Sequence, residues 1–286
     1  MSDLVHYHLP DDERFSLDFV NPDLTEVEAR ESDSADDTAI REYDLDETVY
    51  ALYTSSPQFG AADDLDYDFE DEIDEMTPYH QTITVRLLRL FRTILEETYE
   101  EEQKRLQAYK QVEIDEIPDA LSHIEWAGTV PEVGGSILSS LILKHTLPNA
   151  NHRTSLAFLE LYIQAHEYGF DLPEMATEEF RWQTWVNNYI RDSKRLLTVR
   201  RNTGKFSYLW QMGCDTVQRK DGIRIHLGEY SLDMAHYEAY EYYAAKHHEL
   251  CVDLAREILQ REGYPSLNNE PGMAKAQFAT RLEEMP

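Results

Sequence analysis

The chain has 286 residues and carries 56 Asp and Glu against 26 Lys and Arg, a formal net charge of −30; acids spread along the whole length in this way resemble the surface of a protein from an extreme halophile. With no basic stripe to release counterions from phosphates, binding to nucleic acid is not expected, and two cysteines, Cys214 and Cys251, are too few for a disulfide framework. Nothing approaches a membrane span, and Met1 to His6 hold neither a basic segment nor an apolar run, so no membrane partner, no signal peptide and a cytoplasmic location are expected.

Residues 1–78 read as an acidic N-terminal extension, partly loop. Nine of the thirteen residues from Asp63 to Glu75 are acidic and form a solvated run, while Val49, Tyr50, Leu52 and Tyr53 can dock on the body. Residues 79–202 read as a helical core. A helix is expected from about Thr82 to Tyr109, with Ile83, Leu87, Phe91 and Ile94 on one face. The stretch from Ser122 to Pro131 mixes turn residues and β formers around Trp126, and Gly134 and Gly135 permit close approach or a flexible entry into the next helix. Ile137, Leu138, Leu141 and Ile142 mark that helix, and Leu156, Leu159 and Ile163 the one after it.

Gly169 and Pro173 end the second of these helices, and Thr177, Glu178 and Glu179 open another through Trp182, Trp185, Val186, Tyr189 and Ile190. Arg191, Lys194, Arg195, Arg200, Arg201 and Lys205 are the one basic concentration, read as balancing neighbouring carboxylates.

Residues 203–286 read as a hairpin plus a long helix packed on the core. Phe206, Tyr208 and Trp210 alternate, as do Ile223, Ile225 and Leu227 after the turn signal Asp221-Gly222. A helix is expected from about Ser231 to Glu262 with a packing face of Tyr237, Tyr240, Ala244, Cys251, Leu254 and Ile258, exposed histidines at 236, 247 and 248, and a loose tail beyond residue 266.

Between the two apolar helices of the core lies His145-Thr146-Leu147-Pro148-Asn149-Ala150-Asn151-His152-Arg153-Thr154. Pro148 disfavours helix at the residue before it, and Asn149 or Asn151 can cap the following helix. That places unpaired backbone donors and the positive end of a helix dipole beside Arg153, an arrangement that attracts oxyanions. His145, with an imidazole near pH ~6.5, can accept a hydroxyl proton at neutral pH.

This segment resembles the signature of the Fic/Doc proteins, H-x-F-x-D/E-G-N-G/K-R, and more closely its Doc branch. The resemblance covers about a dozen residues. It implies a mainly α fold, a helical bundle core with a small β-hairpin element, which takes ATP or another nucleoside triphosphate and Mg²⁺ and moves a phosphate onto a hydroxyl of a target protein. It further implies His145 as general base, Asn149 in the place of the metal-ligating acid, Ala150, Asn151 and His152 around the phosphate, Arg153 on a phosphate, and a flap at residues 123–133. Partners implied are a target in the translation machinery and an antitoxin-like chain, since no inhibitory Ser/Thr-x-x-x-Glu-Gly/Asn segment is present. Asn149 brings no negative charge to a cation that prefers carboxylate, and Leu156 stands where a second Arg is found. AMP transfer of the Fic type and a catalytically lost nucleotide- or protein-binding relative are the alternatives.

Overall fold

The computed structural model describes residues 4–57, 59–172 and 184–285. The expected stop at Pro173 and the helix opening through Thr177, Glu178, Glu179 and Trp182 lie outside the described residues. The chain divides into two compact units, one of Met1–Pro57 with Arg191–Tyr243, the other of Gln58–Ile190 with Ala244–Pro286.

The first unit is built on strands. β1 (Leu4–His6), β2 (His8–Leu9), β3 (Asp12–Asn21), α1 (Leu24–Ser32), β4 (Thr38–Asp44) and β5 (Thr48–Ser55) come from its N-terminal segment. β2, β3, β5 and β4 form, in that order, a four-stranded antiparallel sheet that curls into a half-barrel. The register of β3 on β5 shifts between Leu17 and Phe19; such a bulge tightens the local twist. Val49, Ala51, Leu52 and Tyr53 of β5 are buried, and the Tyr53 hydroxyl donates to the His6 carbonyl at 2.5 Å while meeting the Tyr43 hydroxyl at 2.7 Å.

The helix α7 (Thr184–Gln211), whose residues from 191 onward belong to this unit, leads to β6 (Thr216–Gln218) and β7 (Arg224–His226). β7 pairs antiparallel with β6, and β1 joins β6 in parallel. Leu17, Val20, Val49, Val5, Val217, Ile225, Phe206 and Leu209 share one core with Ala239 and Tyr243 of α8 (His236–Arg261).

The mainly α expectation, a helical bundle with one small hairpin and an acidic extension, is therefore corrected: the described residues are 57% helix and 15% strand, the strands forming two sheets, a mixed α/β fold. The N-terminal strands were hidden because their outward positions carry acids, as in Asp12-Glu13-Arg14-Phe15-Ser16-Leu17, so a segment with a buried face reads as solvated. The expected strand at Phe206, Tyr208 and Trp210 is helix, since Val199, Phe206 and Leu209 bury at helical spacing and tertiary packing overrides local alternation. The strand at Ile223 to Leu227 exists, but its partner is β6.

The second unit holds α2 (Glu70–Asp74), α3 (Pro78–Glu102), α4 (Glu116–Ser122), α5 (Val130–Lys144), α6 (Asn151–Gln164), α9 (Lys275–Glu284), and the parts of α7 and α8 outside residues 191–243. Thr77 caps α3 and Pro78 occupies its first turn. This helix ends at Gln103, in the left-handed region, rather than near Tyr109. Residues 130–133 form the first turn of α5, so the expected flap is not a hairpin. Gly135 of α5 lies against the backbone of Val252 on α8, which is the close approach its missing side chain allows. Beyond residue 266 the chain is not a loose tail: Phe278 of α9 is buried with its ring 5.3–6.0 Å from those of Trp126, Phe158 and Tyr162. Its Phe278, Ala279 and Leu282 give one apolar stripe. Among the described residues no helix is long and apolar enough to cross a membrane.

Candidate functional site

The turn from His145 to Arg153 joins α5 to α6, as its sequence indicated. His145 takes the left-handed conformation (φ 54°) at the end of α5 and donates its N–H to the Leu141 carbonyl at 3.1 Å. Ala150, also left-handed (φ 51°), immediately precedes α6, and no side chain caps that helix. The first N–H groups of α6 consequently have no partner within the helix.

The rest of the turn is consumed by its own structure. Thr146 and Leu147 are buried, and the segment 107–113 runs alongside. Tyr109 N–H donates to the Pro148 carbonyl at 3.0 Å, and Glu113 N–H to the Thr146 carbonyl at 2.9 Å. Asn149 donates through Nδ2 to the Gln107 carbonyl at 2.7 Å, and its Oδ1 accepts from Ala150 N–H at 2.6 Å. Asn151, only 5% exposed, holds Leu147 from both sides, accepting from its N–H at 3.1 Å and donating to its carbonyl at 2.8 Å. Both asparagines therefore fasten the turn, each donating to and accepting from backbone groups.

Arg153 faces α3, where its Nη1 donates to Thr98 Oγ1 at 2.9 Å. Burial pulls its guanidinium below the usual arginine value, and the charge of Glu102 opposes that shift. His145 and His152 are half-buried, and Leu156 is in the core. The structure thus knits Asn149, Ala150 and Asn151 together and turns Arg153 to the neighbouring helix. The Asn149 amide oxygen accepts the Ala150 N–H and carries no charge, so to a hard cation that prefers carboxylate it offers one neutral oxygen. Among the described residues no group of three or more His, Cys, Asp or Glu side chains is placed to hold a metal ion.

Four of the six basic residues concentrated on α7 are engaged within the first unit. Arg195 pairs with Asp192 at 2.5 Å, Lys194 lies 3.8 Å from Asp221, and Lys205 donates to the Leu17 carbonyl at 2.9 Å. Arg200 is 7% exposed, donates through Nε to the Tyr240 carbonyl at 2.9 Å, and sets its guanidinium carbon 3.3 Å from the centre of the Tyr240 ring.

That contact belongs to an arrangement that sequence reading missed. The first two turns of α8 bury Ala239 and Tyr243 and expose His236, Tyr237, Tyr240, Glu241 and Tyr242. The His236 ring lies near-parallel to Tyr240 at 5.9 Å, so the Tyr240 ring meets both an imidazole and a guanidinium. Tyr237 is 67% exposed and sits beside Glu238, to which its hydroxyl donates at 3.2 Å. Of the expected packing face, Cys251, Leu254 and Ile258 are buried, whereas Tyr237 and Tyr240 are exposed and Ala244 is half-buried; on the first turns Ala239, Tyr243 and His247 are buried instead. The shift of one position also accounts for His247, expected exposed, which is buried with Nδ1 2.8 Å from Ser139 Oγ and 3.7 Å from Cys251 Sγ. A periodic stripe of tyrosines fits either face of a helix, since their rings suit both a core and an exposed contact.

A family described as being of unknown function (DUF8172) matches residues 1–286. No curated protein and no solved structure matches the chain. The Fic/Doc resemblance is corrected accordingly: the matching family is a different one, and the dozen residues that carried the likeness are here a turn in which Asn149 and Asn151 serve the backbone. Asn residues before a helix after Pro are what capping and turn formation require on their own, so the local likeness needs no family relationship.

Proposed function

The chain belongs to DUF8172, a family of unknown function, and from its own geometry we propose that it works by binding a basic segment of a partner protein rather than by metal-assisted transfer. The observation that supports this reading is the aromatic and acidic face at the start of α8. Tyrosine offers large, rigid contact area with a polar tip, and is enriched in the centre of protein interfaces. Tyr237, Tyr240 and Tyr242 lie there among Asp233, Glu238 and Glu241, with no Lys or Arg between residues 225 and 245 in the sequence. An arginine from a partner can meet both a ring face and a carboxylate on such a surface.

The test is fluorescence anisotropy of a labelled arginine- and lysine-rich peptide against the full chain and its Tyr237→Ala, Tyr242→Ala double variant, which has the same charge. Both rings are away from the Arg200 contact. Binding at least about tenfold weaker in the variant, a loss of about 1.4 kcal/mol, is expected at each salt concentration. Equal binding would mean that net charge alone attracts the peptide and that this face is not the site.

A second reading is favoured by one observation, the left-handed Ala150 ahead of the uncapped α6. It is binding of a nucleoside triphosphate phosphate to the first N–H groups of that helix, with His145 as base if a phosphate is passed on to a hydroxyl. The chain incubated with cell extract and ATP labelled at the α or γ phosphate, beside His145→Ala, separates the two. No His145-dependent label is expected; label from γ that the variant abolishes would replace the first reading with phosphoryl transfer.

A further inference from the structure

A groove of about 710 Å³ lies wholly within the second unit, where the start of α5, residues 253–260 of α8, Tyr189 of α7 and the short turn Pro265–Asn269 meet. That volume lies within the range of small-molecule sites. Main chain fixes the rim: Val130 N–H donates to the Glu270 carbonyl at 2.9 Å, and Gly272 N–H to the Gly128 carbonyl at 2.8 Å. The Tyr189 hydroxyl donates to Glu257 Oε2 at 2.8 Å and so joins α7 to α8. A site braced in this way loses little freedom on being occupied.

The charged groups of the groove are paired with one another. Arg256 sets Nη1 3.4 Å from Asp253 Oδ1 and Nη2 3.4 Å from Glu132 Oε1, and Glu257 meets Arg261 at 2.5 Å besides accepting from Tyr189. The side-chain amides are not. Asn268 Oδ1 is buried and has no hydrogen-bond donor among the described residues, and the side chains of Gln260 and Asn269, both exposed, likewise make no hydrogen bond among them. An amide carries a donor and an acceptor on one planar end, which matches a pair of neighbouring hydroxyls, since each of these also donates and accepts. A buried acceptor left open calls for such a donor, direct or through a bridging water.

We propose that this groove binds a neutral saccharide, its hydroxyls on the amides of Gln260, Asn268 and Asn269 and the Tyr189 ring as its apolar contact. An aromatic ring suits the C–H face of a sugar as it suits other apolar surface. The carboxylates are already paired, so an amine gains little from them, and their excess over Arg256 repels an anion. Glu132 and Glu257 are held below the usual carboxyl range, the first by the Thr129 N–H and the second by the Tyr189 hydroxyl. Neither is therefore the protonated acid that glycoside hydrolysis requires, and the groove binds rather than cleaves. This site is independent of the tyrosine face at the start of α8 and of the turn at residues 145–153.

Isothermal titration of the full chain with neutral disaccharides of glucose, galactose and mannose in both anomeric linkages, and with spermidine and glucuronate as charged probes, tests it. At least one neutral disaccharide should bind, with an affinity equal within about twofold in low salt and in molar KCl, because there is no ligand charge to screen. The Gln260→Ala, Asn269→Ala double variant should bind it about tenfold more weakly or worse, the scale of one or two lost hydrogen bonds. Its thermal unfolding midpoint should be no lower than that of the parent chain, since both side chains are exposed. Binding of none of the disaccharides, undiminished affinity in the double variant, or tighter binding of spermidine or glucuronate than of every disaccharide would each overturn the assignment.

Discussion

Gly135→Ala should lower the unfolding midpoint of the second unit, although alanine is the better helix former. A Cβ at this position would lie 2.5 Å from both the backbone nitrogen and the Cα of Val252. The obstacle is main chain, which cannot rotate aside as a side chain can, so α5 and α8 must part. Overpacking of this kind costs about 1–3 kcal/mol, more than the ~1 kcal/mol that alanine gains over glycine in a helix. At about 2–4 °C per kcal/mol for domains of this size, a net loss of up to ~2 kcal/mol corresponds to as much as ~8 °C. Gly204→Ala is the control. It lies within α7, and a Cβ there meets no atom within 4 Å, so only the propensity gain remains and a rise of about 0.5–1 kcal/mol is expected. Thermal unfolding followed by circular dichroism separates the pair; a Gly135→Ala chain as stable as the parent would show that the two helices do not touch at their backbones.

Stability should climb steeply between 0.1 M and molar KCl, and in low salt it should also rise as pH falls from neutrality. With a net charge of −30, self-repulsion reaches over the ~10 Å Debye length of 0.1 M salt and contracts to ~3 Å at 1 M. The pH sign follows from individual carboxyls. Glu97 of α3 is held above the usual range by burial and then by Glu101 and Glu100, and Glu160 of α6 is raised by burial, then by Asp171, against the Leu172 N–H that it accepts. A carboxyl raised in the folded state penalises folding while ionised, and the penalty lifts as pH drops through its raised value.

Other carboxyls act in the opposite sense at lower pH. Asp119 is lowered first by Lys144, Glu132 first by the Thr129 N–H, and Glu257 first by the Tyr189 hydroxyl. Their stabilisation, complete above the unfolded carboxyl range, is lost as pH falls through their depressed values. A low-salt midpoint that peaks on the acid side of neutrality, and a flatter profile in molar KCl, are therefore expected. A low-salt midpoint that falls steadily from neutral pH downward would show that buried carboxylates and self-repulsion are not what limits this fold.

Much of the second unit was legible in the chain itself. The apolar spacing of α3, α5 and α6 and the turn between the last two follow from local periodicity, and for Gly135 close approach was one of the two roles that glycine's freedom offered. Those signals act within a few residues, where sequence neighbours are also spatial neighbours. The acid surplus, too, is a property of composition and needs no fold.

Tertiary structure alone decided the rest. Strand pairing joins residues far apart, as β1 does with β6 across more than two hundred positions, and nothing in either tripeptide indicates its partner. The fate of the polar groups at residues 145–153 was likewise settled from outside, by the segment 107–113 that occupies the carbonyls of Thr146 and Pro148. Whether Asn149 faces a ligand or the Gln107 carbonyl, and whether the tyrosines of α8 lie in a core or on a surface, depends on what the fold brings against them. A residue's type sets which bonds it can make, while long-range packing sets which of those bonds remain available.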